Sequence, residues 1–129
     1  MKVYWDFSVL VEAALNPQLW HRLQNEGAFT RPHALAEVFS TLTGNPANRI
    51  DAADAAAILE RLSKRLAFVE LTGVETLQAL KKARLKGVRG GRVHDYLHAV
   101  AAEKSGVQTI LTLDKNDFAD LTRLTIEQA

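Results

Sequence analysis

Short apolar runs that read as strands alternate with segments of helical period along this chain, and acidic residues stand at the junctions. Asp6 follows Lys2-Val3-Tyr4-Trp5, Glu37 lies within Ala34-Leu35-Ala36-Glu37-Val38-Phe39, and Asp95 within Val93-His94-Asp95-Tyr96-Leu97. Asp114 and Asp117 fall in Leu111-Thr112-Leu113-Asp114-Lys115-Asn116-Asp117-Phe118. Strands alternating with helices favour a mainly parallel sheet with right-handed crossovers. In such an open sheet the carboxyl ends of the strands face one crevice, so acids far apart in sequence can meet there. Converging carboxylates repel unless something cationic sits between them. With no cysteine and no paired-histidine ligand motif, an oxygen-rich site of this sort suits a hard divalent cation such as Mg²⁺ or Mn²⁺.

The pattern of caps and breakers sets the expected elements. Lys2 to Trp5 reads as a short buried strand, followed by a helix from Ser8 to Leu15 that Asn16-Pro17 stops. Asn16 as N-cap and Pro17 at the first position restart a helix that runs to Asn25 and closes near Gly27. Ala28 to Thr30 is a second strand. Pro32 opens a helix with the stripe Leu35, Val38, Phe39 and Leu42, which leaves Glu37 off the apolar face, and Thr43-Gly44-Asn45-Pro46 ends it. Asp51 caps a helix carrying Ala55, Ile58, Leu59, Leu62 and Leu66. Ala67 to Leu71 is strand-like, and Thr72 with Glu75 forms a capping box for a helix through Leu85, stopped by Gly87. Val93 to Ser105 is a helix apolar on several sides, which implies packing from more than one direction. Gly106 turns it into a strand from Thr109 to Thr112, and a last edge strand spans Leu124 to Glu127. The expected architecture is a three-layer α/β/α domain over residues 1–129, with a mainly parallel central sheet of four to five strands.

Length and composition agree with one compact domain, since 129 residues with 47% hydrophobic content suffice for a buried core. No apolar run approaches the roughly eighteen residues that span a membrane, and the acid at position 6 interrupts any leader-like stretch. The chain is therefore expected in the cytoplasm, in keeping with its lack of cysteine. Its net charge of +1 draws it only weakly to a polyanion. Between Glu75 and Asp95, however, no acid occurs, and Lys81, Lys82, Arg84, Lys86, Arg89 and Arg92 fall in that interval. That run is either a solvated helix end complementing the macrodipole or a phosphate-contacting edge on a glycine-rich loop.

The same residues carry a family resemblance that covers nearly the whole chain. Asp6-Phe7-Ser8-Val9-Leu10, Glu37 on an early helix, Val93-His94-Asp95 at a helix start and the closing run from Thr112 to Phe118 occur in order. Together they resemble the PIN-domain nucleases, and at this length the toxin nucleases of the VapC type. The resemblance implies a Mg²⁺- or Mn²⁺-dependent endoribonuclease that cleaves RNA by in-line displacement at a phosphodiester. It implies Asp6, Glu37, Asp95 and Asp114 as catalytic residues, with Asp6, Asp95, Asp114 and Asp117 about the metal. It also implies a small protein antitoxin as partner and a homodimer.

Each residue has a plainer alternative. Asp6 can simply cap its helix, Asp95 can serve the helix dipole, Glu37 can be a solvated glutamate, and Asp114 or Asp117 can make an Asx-turn. Ser8 and Thr112 are candidates to orient a carboxylate. His94 points about 100° away from Asp95, so shared ligation is not expected. His98, one turn on, is either a substrate contact with Arg89 and Arg92 or a residue of the helix surface, while His21 and His33 have no chemical context. Two other functions fit the outline: a PIN-like module that binds RNA or protein without cutting, and a receiver-like phospho-acceptor domain. The latter expects a pair of acids after the first strand, where Trp5-Asp6-Phe7 supplies one. A metal-free cluster of like charges should be strained, so that Asp6→Asn or Asp95→Asn raises stability.

Overall fold

The computed structural model describes residues 2–47 and 49–129. Five parallel strands form one sheet in the order β3-β2-β1-β4-β5, with β1 at Val3–Trp5, β2 at Ala28–Thr30, β3 at Leu66–Phe68, β4 at Thr109–Thr112 and β5 at Thr125–Gln128. From β1 the chain steps outward through β2 to β3, then returns to place β4 on the other side of β1. The strand order therefore reverses between β1 and β4, and the crevice beyond their carboxyl ends is where ligands enter open α/β sheets.

Alternation along the strands divides the interior into two cores. Tyr4 and Ile110 pair in register and face one core, with Tyr96, Ala99, Ala102, Phe118 and Leu121. Trp5 and Leu111 pair in register and face the other, with Val9, Leu10, Leu23, Val38 and Leu62. Helices α1 (Phe7–Ala13), α2 (Pro17–Glu26), α3 (Pro32–Gly44) and α4 (Ala52–Ser63) cover the second face, and α5 (Gly73–Lys82) and α6 (Val93–Ser105) the first. A parallel sheet needs this cover on both sides, and its inner strands are accordingly mostly apolar, whereas the edge strand β5, Thr-Ile-Glu-Gln, is not. Among the described residues, no helix is long and apolar enough to cross a membrane.

The capping signals act as the sequence implies. Asn16 accepts from the N–H groups of Gln18 and Leu19, Asp51 from that of Ala53, and Thr72 and Glu75 close a reciprocal box at α5. Gly87 and Gly106 adopt φ of +67° and +81°, left-handed values that glycine takes without a Cβ clash. Three expectations shift. The apolar line of α3 is Ala34, Val38 and Leu42, whereas Phe39 stays 36% exposed. Alanine at 34 is small enough to let the helix approach, so the buried face turns toward Ala34 and brings Glu37, three residues on, to its flank. Strand β3 begins and ends earlier than Ala67 to Leu71, because only three residues of β2 offer it partners, Ala28 to Leu66 through Thr30 to Phe68. Helix α5 stops at Lys82, and the expected glycine-rich loop contains 3₁₀ turns at Ala83–Lys86 and Gly90–Arg92.

Candidate active site

Asp6 ends β1 and begins α1, and its side chain is buried. Its Oδ1 accepts from the Phe7 N–H at 2.8 Å, so the aromatic residue in the Asp6-Phe7-Ser8 run leaves the cap intact. Its Oδ2 accepts from the Ser8 hydroxyl at 2.9 Å and the Thr112 hydroxyl at 3.1 Å. Ser8 Oγ in turn accepts from the Leu113 N–H at 3.2 Å, and Thr112 Oγ1 from the Asp114 N–H at 3.3 Å. Each hydroxyl thus gives its single proton to Asp6 and takes one from the loop after β4. The carboxylate at the switch point is fixed in orientation by groups from α1 and from the end of β4.

Asp114 follows β4 and accepts from the Asn116 N–H at 2.9 Å, an Asx-turn that caps a 3₁₀ turn at Lys115–Phe118. Asp117 lies on that turn. Loss of solvation raises its carboxyl, and Asp114 and Asp6 add to the rise while Arg92 opposes it. Asp95, in the first turn of α6, is pushed up to about 6 by burial first, then by the charges of Asp117 and Asp6, with Glu37 adding. Among the described residues, no group donates a hydrogen bond to Asp95 or Asp117. Acids 89 and 111 positions from Asp6 in sequence are therefore close enough for it to disturb both.

Glu37 behaves oppositely. Burial pushes its carboxyl up, but the hydrogen bond from His98 holds it below the usual carboxylate range. The His98 ring is wholly buried, which corrects its expected place on the helix surface or against a substrate. Its Nε2 meets Glu37 Oε1 at 2.6 Å and its Nδ1 meets the Tyr4 hydroxyl at 2.6 Å, so neither nitrogen is free. The apolar surround of α6 was the signal for this burial. His33 also has a context that sequence did not supply: its ring stacks on that of His94, 6.3 Å apart and 17° from parallel, beside Glu37.

Residues of the basic run line two clefts. Lys82 and Lys86 line a cleft of about 380 Å³ with Lys104 and Arg123, whereas Arg84 and Arg89 line another of about 680 Å³. Arg92 bonds the carbonyl of Ala119 and sits near enough to Asp117 to lower it.

A hard divalent ion fits this donor set in kind. The acids are oxygen donors, and like charge disturbs two of them, a disturbance that a cation would relieve. Among the described residues, no three His, Asp or Glu side chains come together tightly enough to enclose a metal ion. Mg²⁺ does not require such a cage, because it keeps several waters and takes one or two carboxylates alongside substrate phosphate.

A PIN domain family model matches residues 3–124. No curated protein sequence matches the chain. Among solved structures, PAE2754 from Pyrobaculum aerophilum superposes with a TM-score of 0.72 at 21% identity, covering 98% of this chain and 88% of that one. VapBC2 from Rickettsia felis, bound to a DNA fragment from their promoter, superposes at 0.73 and 16% identity, covering 100% and 99%. At such identities the likeness speaks for the fold. The family match removes the phospho-acceptor alternative.

Proposed function

The chain belongs to the PIN-domain family, and from that premise we propose that it is a metal-dependent endoribonuclease, the toxin of a toxin–antitoxin pair acting in the cytoplasm. The observation that carries this reading is that Asp6 is held at the switch point of the sheet by Ser8 and Thr112, while burial first and neighbouring acids second, Asp6 among them, raise Asp95 and Asp117. A scatter of helix caps would have no reason to share one field.

Asp6, Asp95 and Asp117 would hold Mg²⁺ or Mn²⁺, with Asp114 shaping the loop that presents Asp117. What favours Asp117 as the nearer ligand is that its charge acts on Asp95, while an oxygen of Asp114 is engaged by Asn116. When bound, such an ion supplies Lewis acidity and offsets charge at the phosphate. Ser8 and Thr112 keep Asp6 from rotating, so no reorganisation is needed as charge develops. Glu37, kept ionised, accepts a hydrogen bond from the attacking water through its second oxygen. Arg92 and Arg89 would contact the RNA backbone. The exposed apolar residues Val74, Leu77 and Leu80 of α5 support association with a second copy. A small protein antitoxin would occupy the cleft.

A second reading, a PIN-like module that binds RNA or protein without cutting it, would share the fold and the basic residues. One experiment separates the two. Purified protein is incubated with structured RNA in Mg²⁺, in Mn²⁺ and in excess EDTA. The nuclease reading expects cleavage in both metals and none in EDTA. Binding without turnover in either metal would leave the module.

A further inference from the structure

One buried line of side chains joins the two layers of the fold. Tyr4 of β1 is wholly buried, His98 of α6 is wholly buried, and Glu37 of α3 reaches His98 from the opposite layer. Both hydrogen bonds in the line are 2.6 Å, short enough to fix the ring between them. We propose that His98 is a positioning residue for the reaction, locked by the Tyr4 hydroxyl as the neutral Nε2–H tautomer so that it grips one oxygen of Glu37 and leaves the other to the cleft. The proposal rests on the nuclease reading above.

The direction of each bond follows from the donors present. A phenol has one proton, which it keeps at neutral pH as an O–H group. If Tyr4 donates to Nδ1, a neutral ring must carry its own proton on Nε2. That proton points at Glu37 Oε1, and the hydrogen bond by itself favours the ionised carboxylate without placing a cation in the core. The other tautomer could still donate from Nδ1–H to the Tyr4 oxygen, but it would set a lone pair against the Glu37 carboxylate and lose that bond. Tyr4 thus acts on Glu37 through a ring it orients, in the way that partners of a ligand fix its orientation in metal sites. Fixing Glu37 matters because its charge falls on Asp95.

Two measurements test this. The first is the ¹⁵N signature of the His98 ring, read in wild type and in Tyr4→Phe, which keeps the packing ring and removes the hydroxyl. Wild type should show Nε2–H alone, and Tyr4→Phe a mixture. The second is steady-state RNA cleavage. Tyr4→Phe should lose about 10- to 100-fold in kcat with KM for RNA unchanged, the scale on which such orienting partners act. His98→Gln, which keeps a donor at the Nε2 position, should retain more kcat than His98→Asn, which does not reach Glu37. Loss of packing alone would instead order the variants by melting temperature. Wild-type kcat in Tyr4→Phe overturns the proposal. Wild type that leaves RNA uncut in both metals overturns the nuclease reading, and the ring then decides the lock by itself: Nε2–H supports it and Nδ1–H overturns it.

Discussion

Two pairs of carboxylates share the carboxyl end of this sheet, and their surroundings treat them in opposite ways. Asp6 and Glu37 are gripped, the first by a backbone N–H and two hydroxyls, the second by a buried imidazole. Asp95 and Asp117 receive no hydrogen bond from the described residues and are raised by burial and by neighbouring acids. Partners, more than depth, therefore decide what each acid does: Asp6 is the most buried of the four, yet it is the best satisfied. The gripped pair supplies fixed geometry, and the open pair supplies the charge that a cation would answer.

The largest expected effect breaks the open pair. Asp95→Asn should reduce kcat/KM for RNA by ~100-fold or more, the scale on which a positioned charged group acts in catalysis, while the far-ultraviolet spectrum is unchanged. Near-full activity would mean that Asp95 serves only the helix dipole.

The gripped pair should answer with stability. Asp6→Asn replaces an acceptor by an amide that faces Ser8, Thr112 and the Phe7 N–H, so it should cost about 1–3 kcal/mol in urea unfolding with EDTA present. This reverses the expectation from sequence that relief of repulsion would stabilise that variant. For Asp95→Asn the expectation stands, because no donor is left unpaired: the variant should gain roughly 1 kcal/mol, its carboxyl shift being discounted for solvent screening. Equal signs for the two variants would erase the distinction between the pairs.

A smaller effect lies in the pH dependence of the metal-free protein. A raised carboxyl means that the folded state binds protons more readily, so the contribution of Asp95 is full below its unfolded pKa of 3.8 and lost as pH rises through about 6. Asp117 acts with the same sign. Glu37, lowered in the fold, contributes stability above the unfolded carboxylate pKa and loses it as pH falls. The advantage of Asp95→Asn over wild type in urea midpoint with EDTA should therefore grow between pH 4 and 6, a difference in which the contribution of Glu37 cancels. The smallest effect concerns the rim. Replacing Arg89 and Arg92 by Gln should flatten the salt dependence of RNA binding by at most ~0.7–0.9 in logarithmic slope per lost phosphate contact, with cleavage at saturating RNA retained.

The limits of legibility follow the same division. Asp6, Ser8, Thr112, Asp95 and Asp117 could be singled out because strand ends and helix starts are written in local signals, a cap, a glycine or a change of period, and because the sheet brings those ends together. The parallel strands and the capping box at Thr72 and Glu75 were legible for the same reason. The line from Tyr4 through His98 to Glu37 was not, since 94 and 61 residues separate its bonded pairs. It depends on the rotation of α3 about its axis, which turned on the small Ala34 rather than on the larger Leu35 and Phe39. The split of the basic run into two clefts was equally hidden, because turn geometry and not charge decides which way Lys82, Lys86 and Arg89 face.

The central claim, that the open acids are matched to a divalent cation, is tested most directly by unfolding wild type and Asp95→Asn in urea with EDTA and then with Mg²⁺. At a hundredfold excess over its dissociation constant, Mg²⁺ should stabilise wild type by about 2.7 kcal/mol. Asp95→Asn should start higher in EDTA and respond less. If wild type shows no response and Asp95→Asn unfolds more easily than wild type in EDTA, the acids are structural caps and the metal site does not exist.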